Sequence, residues 1–227
     1  IRDSSVTGVQ TCALPILILY HLRKLHDAAR LPNVPIYVDS PMALAALGIY
    51  RDAIASGTDD VRTDAGLTPN IFDLPTLEEV HDSEGSKAVS ASTRSCIIIA
   101  GAGMASGGRV VHHLERFLPD PNSSVALVGF QAAGTRGRQL LDGQTSVKIH
   151  GEYVRVNAEI CDLTDFSVHA DTDELLQWVG TATRAPRTCF VVHGELSASE
   201  ALRSRIERSL GWTTVVPAIG ERITLRK

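Results

Sequence analysis

Residues 96–109 read Cys96-Ile-Ile-Ile-Ala-Gly-Ala-Gly-Met-Ala-Ser-Gly-Gly-Arg109, and the order of their parts decides the fold. Residues 96–100 form a short, continuous apolar run of the kind shown by a strand buried on both faces. Four glycines follow within the nine residues 101–109. Apolar side chains at 110, 111, 114, 117 and 118 then recur at helical spacing, which predicts a helix over 107–118. The same grammar appears on both sides. Upstream, residues 34–39 are a buried-type strand, Ser40 can cap, and Pro41 takes the first position of a helix over 42–51. Downstream, a strand over 124–130 leads into a short helix over 134–141. Three strands, each followed by a helix, predict a doubly wound α/β fold with residues 34–39, 96–100 and 124–129 as parallel neighbours. Asp39, Gly103 and Gln131 would then lie along the carboxyl edge, where such sheets bind ligands.

Outward from this centre the signals weaken. Residues 17–30 are helical, 55–70 a loop, 74–80 a short helix, and 86–92 a polar connection. From Ser146 the pattern changes. Residues 147–150 and 153–160 flank Gly151-Glu152 as antiparallel strands. Helices are expected over 171–179 and 197–210, with a strand over 188–192 between them, and strands over 213–216 and 222–225 complete a sheet. Two modules follow, residues 17–143 and 144–227, divided near Asp142-Gly143. The stretch Val6-Thr-Gly-Val-Gln-Thr-Cys-Ala-Leu-Pro-Ile16 has neither helical nor strand period and resembles a translated sequencing-adapter oligonucleotide. Residues 1–16 are therefore set aside as non-native, with the expectation that the reading frame opens inside a gene.

Composition narrows the function classes. The 227 residues are 44% hydrophobic and 21% charged with a net charge of −4, ordinary for a globular protein. No whole-surface attraction for nucleic acid is indicated, so any phosphate binding is local. Cys12, Cys96, Cys161 and Cys189 show no C-x-x-C spacing and read as buried, reduced thiols. No apolar run approaches the roughly 20 residues of a membrane span, and a cytoplasmic protein without membrane partners is expected.

Two further segments carry the chemistry: Phe166-Ser-Val-His-Ala-Asp171 and Phe190-Val-Val-His-Gly-Glu195. Each places a histidine at or just beyond the end of a strand-like run, as Val34-Pro-Ile-Tyr-Val-Asp-Ser-Pro41 places Asp39. Histidines and carboxylates on strand-end loops are a usual construction for hydrolytic metal sites. In order, spacing and intervening glycine loop, the three segments resemble motifs A, B and C of the β-CASP branch of the metallo-β-lactamase-fold nucleases. The resemblance runs from about residue 17 onward. It implies a β-CASP domain followed by the C-terminal part of a metallo-β-lactamase (αββα) domain.

The resemblance also implies roles. His193 is a ligand to one zinc of a pair; RNA-acting members carry histidine there, the DNA-processing branch valine. His169 is a catalytic residue that stabilises charge or protonates the leaving 3′-oxygen, and Asp39 orients it. Ser40, Gly103, Ser106, Gly107, Gly108, Arg109, Gln131, Arg136 and Ser167 are the RNA- or phosphate-binding set, with Arg138 adding local charge. Asp39, His169 and His193 are expected to meet in one cleft. Each segment also has a plainer reading: Asp39 as a helix cap, Asp171, Asp173 and Glu174 as acids suited to a helix N-terminus, the glycine loop as a tight turn. His21, His26, His81, His112, His113 and His150 read as structural or solvated. The H-x-H-x-D-H loop that supplies most zinc ligands in the family does not occur. Against the seven or so ligands two metals need, the chain offers His193 alone.

The expected function is thus a fragment of a two-zinc ribonuclease, inactive by itself, acting on RNA, with homodimerisation a further partner expectation. Alternatives are a non-catalytic RNA- or partner-binding paralogue and a small-ester hydrolase of the same fold.

Overall fold

Strand β1 (Ile36–Asp39) is short because the chain must turn at once. Ser40 is extended at φ −154° and its Oγ accepts from Ala43 N at 3.3 Å. Pro41 then opens α2 (Pro41–Ser56), which ends at left-handed Gly57. The computed structural model describes residues 4–57, 68, 70–163, 166 and 169–224. Much of the expected loop over 55–70 lies outside them, as does Ser167.

Helix α1 (Ser4–Asp27) precedes β1 and runs through Pro15 into the segment set aside as non-native. Ile16, the last residue of that segment, is buried with Leu19 against Ile36, Val38, Leu47, Phe72 and Leu74. After α2 come β2 (Leu77–Glu79), α3 (Ser83–Ala91), β3 (Ile97–Ala100) and α4 (Val110–Phe117). The first sheet is parallel in order β2-β1-β3, with Ile36 opposite both Leu77 and Ile97.

Two expectations fail here. Residues 77–79 are strand, not helix, because β1 offers a free edge and pairs with them; three residues with partly exposed side chains carry too little pattern to show it. Residues 83–91 are helix, not a polar connection, because Asp82 caps the first turn through Gly85 N at 2.7 Å.

Beyond α4, β4 (Ser124–Val128) and α5 (Arg136–Leu141) complete the expected series, but β4 is not a ladder neighbour of β3. It pairs in parallel with β7 (Glu159–Leu163), Ser124 opposite Glu159. Strands β5 (Ser146–Ile149) and β6 (Glu152–Arg155) form the predicted hairpin. His150 and Gly151 join them with φ +47° and +93°, the two positive values of a type I′ turn. The expected strand over 153–160 is interrupted where Asn157 and Ala158 donate to Leu118 O at the end of α4. That capture redirects the chain into β7. Val111, Leu114, Leu127, Leu140, Val147 and Ile149 form a second buried cluster here.

Residues 169 onward make a separate compact unit, distinct from 1–168. It holds α6 (Thr172–Gly180), β8 (Cys189–Phe190), α7 (Leu196–Leu210) and β9 (Thr214–Val215), with β8 and β9 parallel. Residues 222–224 are not strand. Cys96, Cys161 and Cys189 are free thiols, half-buried rather than fully buried, and burial pushes the Cys96 and Cys189 thiols up. No described helix is long and apolar enough to cross a membrane.

Candidate functional site

Asp39, at the carboxyl end of the central strand of the first sheet, is fully buried. Its Oδ1 accepts from Arg109 Nη1 at 2.7 Å; its Oδ2 accepts from Ser86 Oγ at 2.5 Å and pairs with His113 Nε2 at 2.7 Å. A carboxylate only accepts, so His113 carries a proton on Nε2, leaving Nδ1 for Ser90 Oγ at 2.9 Å. Burial acts to raise the Asp39 carboxyl, but hydrogen bonds from Ser86, Arg109 and His113 outweigh it and hold it below the ordinary carboxylate value. The elements explain the convergence: α3 brings Ser86 and Ser90, while Arg109 and His113 stand four apart at the start of α4, on one face.

The loop 101–109 returns on itself. Val110 N donates to Gly101 O at 3.3 Å. At Gly108, φ is +72° and a Cβ would stand 3.1 Å from that same carbonyl, so glycine is required. Ser106, Gly107, Gly108, Arg109 and Arg136 line a cleft of about 460 Å³ together with Val111, His112 and His150. Five of the expected phosphate residues thus share a concavity; Ser40, Gly103 and Gln131 do not line it. Gln131 is buried beside the loop, its Nε2 donating to Gly103 O at 3.0 Å, and Gly137 leaves room for its amide oxygen. Gly103 and Gln131 thus lie together, but β4 belongs to another sheet, so the expected single sheet edge carrying Asp39, Gly103 and Gln131 is not formed.

The arginines do not reach into this cleft as free claws. Besides Asp39, Arg109 donates to Val80 O at 2.9 Å and His81 O at 3.1 Å. Arg136 donates to Lys148 O at 2.8 Å through Nη2 and to Ala105 O through Nη1. The first amides of α4 are also paired within the loop and helix: Val111 N with Gly108 O, His112 N with Arg109 O. Arg138 binds Asp142 on the surface.

In the second unit, His169 is exposed two residues before Asp171, which caps α6. Asp171 Oδ1 accepts from Glu174 N at 2.8 Å and Glu174 Oε2 accepts from Asp171 N at 2.8 Å, a reciprocal capping box. Asp173 pairs with Arg205 of α7. The acids beside His169 thus have the capping work that plain helix logic assigns them. His193 follows β8, is exposed, and has φ +67°. A Cβ on the next residue, Gly194, would lie 2.4 Å from Ser199 Oγ. Close packing on α7 therefore sets the backbone that displays His193.

Sequence reasoning missed Ser86 and His113 as partners of Asp39, and Ser90 as the partner of His113. The four-residue spacing of Arg109 and His113 was the available signal. It also missed that His112, Glu115 and His150 gather, which requires knowing where the β5–β6 hairpin lies.

Two family models match successive stretches of the chain. Residues 149–217 match the Zn-dependent metallo-hydrolase RNA specificity domain. A ribonuclease of Thermus thermophilus is 37% identical over 73% of this chain and 38% of its own length. The transcription termination factor FttA of Pyrococcus abyssi is 31% identical over 89% of this chain and 32% of its own. An RNase J-like protein of Methanocaldococcus jannaschii is 27% identical over 89% of this chain and 46% of its own. The chain therefore spans between about a third and a half of the length of these relatives. Residues 16–140, more than half of the 227 and the stretch that holds Asp39 and the glycine loop, match the Beta-Casp domain, and the chain belongs to the Beta-Casp family.

Proposed function

We propose that this chain is the C-terminal part of a zinc-dependent ribonuclease that hydrolyses RNA phosphodiester bonds. The observation that carries the reading is that the segment matching an RNA specificity domain of Zn-dependent metallo-hydrolases, residues 149–217, contains both His169 and His193. In the whole protein His193 contributes a zinc ligand and His169 gives a proton to the leaving 3′-oxygen, whereas the carboxylate of Asp39 serves Ser86, Arg109 and His113 within its own unit. The cleft beside Gly107 and Gly108 is the surface for the phosphodiester backbone.

The described residues do not make up a two-zinc centre. Among the described residues one group of three His, Cys, Asp or Glu side chains converges closely enough for an ion, and His193 is not in it. In this reading the chain by itself is not a competent nuclease. RNA cleavage by this chain and by a longer protein carrying it, each with and without chelator, tests the reading. Chelator-sensitive cleavage by the longer protein and none by the chain is expected. Chelator-sensitive cleavage by the chain alone, with two zincs bound, or hydrolysis of small esters but not RNA by the longer protein, would overturn it.

A further inference from the structure

His112 and Glu115 stand three apart on α4, and so on one face of it, while His150 occupies the β5–β6 turn. One potential ligand atom from each of the three lies within 4.8 Å of the others. His150 Nδ1 and Glu115 Oε2 are 3.0 Å apart, and the imidazole centroids of His112 and His150 are 4.8 Å apart with planes tilted by 37°. We infer that His112, Glu115 and His150 form a binding site for a first-row divalent cation, zinc or cobalt, separate from any ion that His193 holds.

Three features carry this. The donor set is two imidazoles and a carboxylate, the borderline-to-hard N/O combination of three-ligand zinc sites that keep a fourth position for water or an anion. The reach fits: with bonds near 2.0–2.1 Å, tetrahedral ligand atoms stand about 3.4 Å apart. The His150–Glu115 pair is already inside that distance as a hydrogen bond, so a cation bound there replaces the Nδ1 proton, and both side chains are half-exposed. Third, the turn itself presents His150. Its φ of +47° is left-handed, a region histidine enters more readily than most non-glycine residues, and from there its ring reaches His112 and Glu115 on α4. The location gives the fourth position a use. His112 and His150 line the same cleft as Ser106, Gly107 and Gly108, so a cation held by them would face that cleft and draw an anion into it without help from the committed arginines.

The inference does not rest on the nuclease reading, since none of its ligands is assigned a catalytic role. Cobalt(II) and zinc(II) titrations of the intact chain, followed by visible absorption of the cobalt and by calorimetry, test it. One ion per chain is expected. His112→Ala, Glu115→Gln and His150→Asn should each weaken binding by more than about tenfold, because losing a direct ligand exceeds the 10–100-fold effect of losing its outer partners. The asparagine variant keeps a turn-compatible residue, and circular dichroism of all three verifies the fold. His193→Ala should bind as the parent does. Absence of binding at millimolar ion, binding unchanged by the three substitutions, or binding lost with His193→Ala would each overturn the inference.

Discussion

The two compact units end their strands on side chains handled in opposite ways. At the end of β1, Asp39 is wholly buried and met by Ser86, Arg109 and His113, all from its own unit. At the end of β8, His193 is exposed and its direction is set by backbone, a positive φ followed by a glycine packed on Ser199. The cores around them differ in the same sense. The first unit buries two apolar clusters. In the second, Val191 and Ile206 are buried whereas Trp178, Leu196 and Val192 stand in solvent. A carboxylate can be taken out of water only where enough structure exists to bring donors to it. A displayed imidazole needs little more than a well-held turn. The first arrangement is a charge network complete in the folded chain; the second is a presentation.

The comparison is broken most forcefully at Asp39. Replacing it with alanine leaves Arg109 and His113 facing a buried gap, and a loss of about 3–5 kcal/mol is expected in denaturant unfolding. His193→Ala, by contrast, should change stability by less than about 0.5 kcal/mol, as surface substitutions do. A small effect at Asp39 would place the carboxylate outside the network described.

The next effect is the packing that displays His193. A Cβ at Gly194 collides with Ser199 Oγ, and Gly194→Ala should cost about 1–3 kcal/mol. Adding Ser199→Ala removes the oxygen and should recover much of that loss in a double-mutant cycle. Simple additivity would show that Gly194 is not held by this contact.

The smallest effect is the pH response. Hydrogen bonds hold the Asp39 carboxyl below its ordinary value against burial, so the folded state binds its proton less well than the unfolded chain. The stabilisation is complete above about pH 4, the unfolded range for aspartate, and disappears as pH falls through the lower folded-state value. Unfolding free energy measured from neutral to strongly acid pH should drop in that window, and Asp39→Asn should flatten the drop. An unchanged profile in the variant would assign the acid sensitivity elsewhere.

These regions also differ in how far they could be read from residues alone. The strand–cap–helix unit at 36–56 was legible because Ser40 and Pro41 act locally, and so was a helix N-terminus at the acids Asp171, Asp173 and Glu174, although not the capping box itself. Strand β2 was not, since Leu77–Glu79 becomes strand through a partner forty residues away, and neither was the pairing of β4 with β7, which depends on Leu118 capturing the amides of 157 and 158. At the site, the residue pattern singled out Asp39 and Arg109 but did not show that the two bind each other. His113 was passed over because an adjacent pair of histidines on a helix points two ways, one toward Asp39 and one toward the cleft, and only the fold says which is which.

We propose that His193 and His169 play unequal parts in a metal-dependent cleavage, one holding zinc and the other moving a proton. Zinc content and RNA cleavage rate measured together, in a longer protein carrying this chain, test it most directly. His193→Ala should lower zinc and activity in step, whereas His169→Ala should keep its zinc and slow cleavage by roughly 10²–10⁴-fold, the usual worth of a general acid. Loss of zinc from His169→Ala, or full activity in His193→Ala, would contradict the account.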